Sequence, residues 1–318
     1  MMKSQGSPWT ARADASHPAE SQDPLSTTSV TQHEILSQPQ VWRHALESAM
    51  TVPAFGKPGE RVLFLGCGTS AFVAESIAEL RERAGHGVSD AGYASEWAPA
   101  RSYDRIVVIS RSGTTSEVLS VLEQVPERTA TAAIVGVGTS PVARAVDDVM
   151  VLDYADEESV VQTRFPTTVL LLARRAFGEN VDDLPAQAEA ALSREASVRA
   201  ADFAHFVFLG RSWTYGLAQE AALKVREAAQ AWSESYPALD YRHGPIAVAH
   251  DETLVVIFGD LDGGLEGDIR RTGAAILHED LDPLIQLARA QSLAVDLAGA
   301  RGLDPDAPRH LTRSVVLG

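Results

Sequence analysis

From about Thr31 onward, apolar positions along the chain follow two alternating rhythms. Short unbroken runs at Arg61–Leu65, Ile106–Ile109, Ala133–Val137 and Val149–Leu152 have the length and β-branched content of strands buried on both faces. Between them, Ala71–Ala84 and Ser116–Glu123 carry helical spacing, and Ile35, Leu36, Trp42 and Leu46 mark an earlier helical stretch. A second set begins after Arg199: strand Phe206–Leu209, helix Gly216–Trp232, strand Leu254–Phe258, a short strand at Ala275–Leu277 and helix Leu284–Ala298. Strands alternating with helices predict parallel sheets covered on both faces, so the fold class is α/β.

The two sets read as copies of one unit. Val62-Leu63-Phe64-Leu65-Gly66 is echoed by Phe206-Val207-Phe208-Leu209-Gly210, although two buried strands can also look alike by chance. The expected organisation is a disordered tail over 1–27, a first domain over 28–180 and a shortened second domain over 181–318. The tail is rich in Ser, Pro, Ala, Gln and Asp and has no apolar period.

Composition narrows the function classes. Of 318 residues, 45 % are hydrophobic and 22 % charged, as in globular proteins. No apolar run reaches the ~18 residues of a membrane span, and no signal-peptide layout opens the chain. The single cysteine, Cys67, excludes a disulfide framework and reads as a small buried residue. A cytoplasmic location is expected. The net charge of −16 would repel a phosphate backbone, so nucleic acid is a poor partner. No histidine–carboxylate spacing suggests a metal, and no cofactor is expected.

Two strand ends carry candidate chemistry. Gly66-Cys67-Gly68-Thr69-Ser70-Ala71 turns from a strand into a helix, where backbone N–H groups and the helix dipole favour an anion. Alone it also fits a dinucleotide fingerprint, with Asp90 placed for a ribose, or a plain tight turn. The second loop, Ser110-Arg111-Ser112-Gly113-Thr114-Thr115-Ser116, holds more hydroxyls than one helix cap needs. Two such loops at neighbouring strand ends favour a phosphate monoester. Thr69, Ser70, Ser110, Arg111, Ser112 and Thr115 are its candidate ligands.

Helix Gly216–Trp232 aligns Glu220, Lys224 and Glu227 on one face. An ordinary solvated face with Glu–Lys pairs has the same pattern. The irregular segment Ser233–Pro245 that follows ends in Arg242-His243-Gly244-Pro245. A carboxylate near a cation, together with a histidine, suits proton transfer beside a carbonyl.

At this point the residues are recognisable. The chain resembles the isomerase half of glucosamine-6-phosphate synthase and its stand-alone relatives among sugar-phosphate isomerases, deaminases and deglycases, the SIS (sugar isomerase) family. The motifs are His33-Glu34-Ile35-Leu36-Ser37-Gln38-Pro39, the two loops, Tyr93-Ala94-Ser95-Glu96, the Glu220/Lys224/Glu227 helix, His243-Gly244-Pro245, and Asp304-Pro305 with Pro308-Arg309-His310-Leu311. The resemblance implies two tandem SIS domains, each a five-stranded parallel sheet with helices on both faces, joined as a homodimer with a shared active site. It makes Glu227 the base moving a proton between C1 and C2, and Lys224 and Glu220 the pair that orients it. His243 becomes the ring-opening group, reaching the neighbouring subunit. Val160 touches the sugar through its backbone.

Three departures qualify the resemblance. No glutaminase domain precedes the match, so glutamine-derived ammonia is not expected. Arg313 replaces a Schiff-base lysine, and a guanidinium cannot form that imine. The short stretch between Asp260 and Pro283 leaves the second sheet incomplete on one edge.

The expected function is isomerisation, or deaminating isomerisation, of a hexose or amino-hexose 6-phosphate. Glu157 or Asp240 are candidates to hold a substrate ammonium. A non-catalytic sugar-phosphate sensor and a dinucleotide oxidoreductase are the alternatives.

Overall fold

The computed structural model describes residues 28–48, 52–98, 100–261 and 264–317. The tail expected over 1–27 lies outside them. Helix α1 (Val30–Glu47) leads into β1 (Val62–Gly66), α2 (Thr69–Arg83), β2 (Ser89–Tyr93), β3 (Arg105–Ser110), α3 (Ser116–Gln124), β4 (Ala130–Val135), α4 (Pro141–Arg144) and β5 (Asp148–Val151). Helices α5 (Arg164–Ala176) and α6 (Leu184–Leu192) connect to β6 (His205–Gly210), α7 (Trp213–Ala229), β7 (Trp232–Pro237), β8 (Thr253–Ile257), α8 (Leu265–Arg271), β9 (Ala275–Leu277) and α9 (Pro283–Ala300).

The strands form two parallel sheets flanked by helices, ordered β2-β1-β3-β4-β5 and β7-β6-β8-β9. Among the described residues the second sheet has four strands, with β9 at its short edge. The five strands implied for that sheet are therefore corrected to four, as the short 260–283 stretch suggested.

Strand alternation explains how the sheets are held. Val62, Phe64, Val107 and Ile109 face one way, and Phe206, Phe208, Leu254 and Val256 of the other sheet join them in one continuous core with α1, α2, α5, α7 and α9. The opposite residues, Leu63, Leu65, Ile106 and Val108, pack beneath α3 and α4. Val207, Leu209, Val255 and Ile257 pack with Tyr241 and α8. Strands buried on both faces read as the unbroken apolar runs of the sequence.

Helices α2 and α7 join the two sheets. Ser76 Oγ donates to Trp213 O at 2.8 Å. A Cβ at Gly216 would collide with Ser76 Oγ and Phe72 O, so only glycine allows this approach. Ser76 meets the start of α7 while Thr69 meets Lys224 near its end, so the helices run antiparallel. That arrangement carries the far end of α7 to the first hydroxyl loop.

Several expected boundaries move. Helix α7 ends at Ala229, because Gln230 turns left-handed (φ 49°) and its N–H closes onto Val225 O. Trp232, expected in that helix, instead starts β7, and the supposedly irregular segment is a strand as far as Pro237. No described helix is long and apolar enough to cross a membrane.

Candidate active site

The first hydroxyl loop leaves β1 at Gly66. A Cβ there would lie 2.5 Å from the Ser70 carbonyl carbon, so the turn needs glycine. Gly68 then adopts φ 52°, ψ −127°, and α2 begins at Thr69. Ser212, before α7, takes almost the same angles, φ 54° and ψ −130°. Thr69 and Ser70 are both buried at this helix start. Cys67 beside them is half-buried rather than buried. Burial, reinforced by Glu117, pushes its thiol up to about 11, so it stays a protonated bystander.

The second loop follows β3, which pairs directly with β1, so both loops open at the same end of the sheet. Ser110 Oγ lies 3.3 Å from Thr115 Oγ1 and accepts from Gly113 N at 3.2 Å. Ser112 Oγ reaches Ser314 Oγ at 3.1 Å, and Thr114 Oγ1 reaches the same oxygen at 2.9 Å. The C-terminal segment thus lies across this loop, further tied by Ser116 N to Val315 O at 3.3 Å. Ser314 was missed in the sequence because a hydroxyl far along the chain carries no local pattern.

Arg111, a candidate phosphate ligand, is engaged within the protein. Its guanidinium is buried, Nη1 donating to Ser159 O at 2.6 Å and Nη2 to Arg313 O at 2.9 Å. Glu157 Oε2 lies 3.7 Å from Nη1, with both side chains sealed from solvent. Glu157 Oε1 accepts from Thr163 N, Thr163 Oγ1 and Arg164 N, so a candidate ammonium ligand is held inside the protein. Asp240 lies exposed on the turn that leads to His243.

On α7 the three charged residues form a compact group. Lys224 Nζ donates to Glu227 Oε2 at 2.6 Å and to Thr69 Oγ1 at 3.2 Å, and lies 3.3 Å from Glu220 Oε1. Lys224 and Glu220 are 1 % exposed at the side chain and Glu227 is 18 % exposed, so Glu227 alone of the three opens outward. Burial pushes Glu220 up to about 7, against the opposing pull of Lys224. Burial would lower Lys224, but the carboxylates of Glu220 and Glu227 outweigh it and hold its ammonium charged. The group is therefore a desolvated cation steering one partly open carboxylate beside the first hydroxyl loop.

His243 lies apart from this group. It is exposed in the single turn Asp240–His243 and, among the described residues, makes no hydrogen bond or ion pair. Val160 is half-buried in the loop after β5, and Arg313 Nη2 pairs with both oxygens of Asp156 at 2.6 Å. Asp90, the ribose candidate, accepts from Tyr103 Oη at 2.7 Å on the edge strand β2. A crevice of about 820 Å³ opens at the ends of β6, β8 and β9, but its Arg174 is already held by Asp282 at 2.7 Å and 2.9 Å.

Glu34, in the first sequence motif, anchors the loop that carries Val160. Its Oε1 accepts from Glu158 N at 2.7 Å. Burial, reinforced by Glu157, pushes its carboxyl from the ordinary 4.5 up to about 7. The folded state therefore keeps a proton that the unfolded chain has lost, and stability falls as pH rises from about 4.5 through about 7. Glu34→Gln keeps an acceptor for Glu158 N and removes this contribution. Between pH 5 and pH 8 its melting temperature should fall a few degrees less than that of the wild type; parallel falls would contradict the assignment.

Residues 57–174 match the model of the SIS domain. Among curated proteins it is similar to the glutamine–fructose-6-phosphate aminotransferase (isomerizing) of Methanothermobacter thermautotrophicus, at 27 % identity over 81 % of this chain and 52 % of that protein. The enzyme of the same name from Symbiobacterium thermophilum is 29 % identical over the same shares. The chain spans about half the length of these relatives. Among solved structures, a glucosamine-6-phosphate deaminase from Thermotoga maritima superposes with a TM-score of 0.79 at 28 % identity, covering 91 % of this chain and 100 % of that one. The tagatose-6-phosphate ketose/aldose isomerase of Escherichia coli, at 20 % identity and TM-score 0.72 over 92 % and 97 %, shares the fold.

Proposed function

We propose that the chain is a sugar-phosphate isomerase acting on a hexose or amino-hexose 6-phosphate. The observation that carries this reading is the buried Lys224 bonded at 2.6 Å to the partly open Glu227 beside the Thr69 loop. Hydroxyls and N–H groups of the two loops hold the phosphate, with Thr69, Ser70, Ser110, Ser112 and Thr115 as its ligands. Phosphate binding there places the reacting end of the sugar along α7.

In an opened aldose phosphate, the Glu227 carboxylate takes the proton from C2 as C1 becomes an enol, and then delivers it to C1. A 2-hydroxy sugar yields a ketose through an enediol. A 2-amino sugar yields an enolamine and then an imine at C2, which water hydrolyses to ketose and ammonia. Lys224 orients the Glu227 carboxylate through its 2.6 Å bond, and Glu220 keeps Lys224 in place. Arg313 offers a guanidinium where an imine needs an amine, so it forms no imine with the ketose. An amino-sugar phosphate is the better substrate in this reading, in keeping with the named activity of the Thermotoga structure. The test is a panel of hexose and amino-hexose 6-phosphates assayed for ketose formation and ammonia release.

The second sheet is read as a second, shortened SIS domain following a first domain over 28–180. Its strand order matches the first with one edge strand fewer, and Ser212 repeats the backbone angles of Gly68. The active unit is read as a homodimer in which His243 serves the partner's site. Exposed apolar residues flank its turn, Leu239 at 40 % and Val248 at 58 %, as an assembly surface requires. Mixing Glu227→Gln with His243→Ala protein should restore part of the wild-type activity, because one mixed site keeps both groups. No recovery after confirmed subunit exchange would contradict the shared site.

The phosphate reading has its own check. Charge-assisted hydrogen bonds contribute about 1.5–3 kcal/mol each, so Ser70→Ala with Ser110→Ala should weaken sugar-phosphate binding by about 3–6 kcal/mol in calorimetry. Equal affinity for free and phosphorylated sugar in the wild type would overturn it.

A further inference from the structure

We propose that Arg111, placed by the sequence among the phosphate ligands, is instead a positioning residue that sets two walls of the sugar site at once. The proposal rests on the sugar-phosphate reading above. Its basis is one buried guanidinium shared between two distant backbone carbonyls, Ser159 O at 2.6 Å and Arg313 O at 2.9 Å.

A planar trans peptide fixes its N–H opposite its C=O. Holding Ser159 O therefore aims the Val160 N–H, and holding Arg313 O aims the Ser314 N–H. Val160 is the position expected to meet the sugar through its backbone, and Ser314 bonds Ser112 and Thr114 of the second hydroxyl loop. Arg111 itself leaves β3 at the start of that loop, so it ties loop, Val160 segment and C-terminal segment into one frame.

The surroundings hold the guanidinium in this pose. Glu157 lies 3.7 Å away, with neither side chain open to solvent, and is itself fixed by Thr163 and Arg164. Swinging Arg111 out toward a phosphate would leave a buried carboxylate without its cation, a costly exchange. Thr31 Oγ1, 2.8 Å from Ser159 Oγ, and Glu34 brace the same loop from α1. Arg111 reaches the backbone of the C-terminal segment as well as that of this loop, because its planar fork presents donors in two directions, and the exposed Arg313–Asp156 pair joins the same two segments at their surface.

None of these contacts touches Glu220, Lys224 or Glu227. Loss of Arg111 should therefore damage sugar binding and spare proton transfer. Arg111→Gln alone strands Glu157, so the test uses Arg111→Gln combined with Glu157→Gln, which removes both buried charges, alongside Arg111→Lys. With the best sugar phosphate of the panel as probe, the double variant should raise KM about tenfold or more while kcat stays within about threefold. Arg111→Lys should recover part of the KM. Hydrogen exchange at amides 312–315 should quicken at least about tenfold in the double variant.

A variant merely losing folded protein would lower apparent kcat at constant KM, and that result overturns the proposal. Unchanged exchange at 312–315 overturns it as well, because the C-terminal wall would then stand without Arg111. If the wild type turns over none of the sugar phosphates, the functional reading fails and the role in sugar binding falls with it. Faster exchange in the variant would then report the clamp alone.

Discussion

Glu227→Gln should lower turnover by about two to four orders of magnitude while sugar-phosphate binding survives. The amide keeps the shape of the carboxylate and can still meet Lys224 Nζ, now 2.6 Å from Oε2, but it cannot accept a carbon-bound proton. Glu220, the other carboxylate on this face, is 1 % exposed and cannot take over the role. Steady-state kinetics with calorimetric binding on the same preparation separate the two effects. Near-normal turnover would place the base elsewhere.

Lys224→Met should be the most destabilising single change in the site. It leaves Glu220 and Glu227 facing each other without the cation that holds them, with Glu220 fully enclosed by α7 and its neighbours. Removing one member of a buried charged group typically costs about 3–5 kcal/mol. Denaturant unfolding should show that loss at pH 8, and a smaller one at pH 5, where Glu220, already pushed up to about 7, is protonated and no longer needs its partner. Equal losses at both pH values would contradict the electrostatic account. Activity should fall with either outcome, since Glu227 loses the ammonium that orients it.

The central strands were legible because they are buried on both faces. β1, β3, β6 and β8 appear as unbroken apolar runs within a residue or two of their true limits. Of the edge strands, β5 and β9 were legible as well, but β2 and β7 were not. β2 reads Ser-Asp-Ala-Gly-Tyr and β7 reads Trp-Ser-Glu-Ser-Tyr-Pro, each half open to solvent, so neither shows a run. Helix α5 escaped for the opposite reason. It is buried nearly all round, polar residues such as Thr167 and Thr168 included, so its burial does not follow from residue type.

The site divides in the same way. The i, i+4, i+7 spacing on α7 revealed Glu220, Lys224 and Glu227, because helix geometry alone decides which residues share a face. The burial of Arg111 was not legible, because composition cannot tell a guanidinium pointing into a crevice from one buried against carbonyls. Its partners, Ser159 and Arg313, come from separate parts of the chain, and only the folded arrangement joins them. The Arg313–Asp156 pair and the Ser314 contacts share this character. Glu157, a candidate from the sequence to hold an ammonium, is buried 3.7 Å from Arg111, which no local pattern reveals.

The central claim, proton transfer between C1 and C2 by Glu227 on a phosphorylated sugar, is tested most directly in deuterated water. Glucosamine 6-phosphate and glucose 6-phosphate are incubated with the wild type and with Glu227→Gln, and the ketose 6-phosphate product is read by mass spectrometry and NMR. The account predicts ketose carrying solvent deuterium at C1, with ammonia released from the amino sugar, and loss of both product and label in the variant. Absence of product and of carbon-bound label from every phosphorylated sugar offered to the wild type, or undiminished labelling by Glu227→Gln, would contradict it.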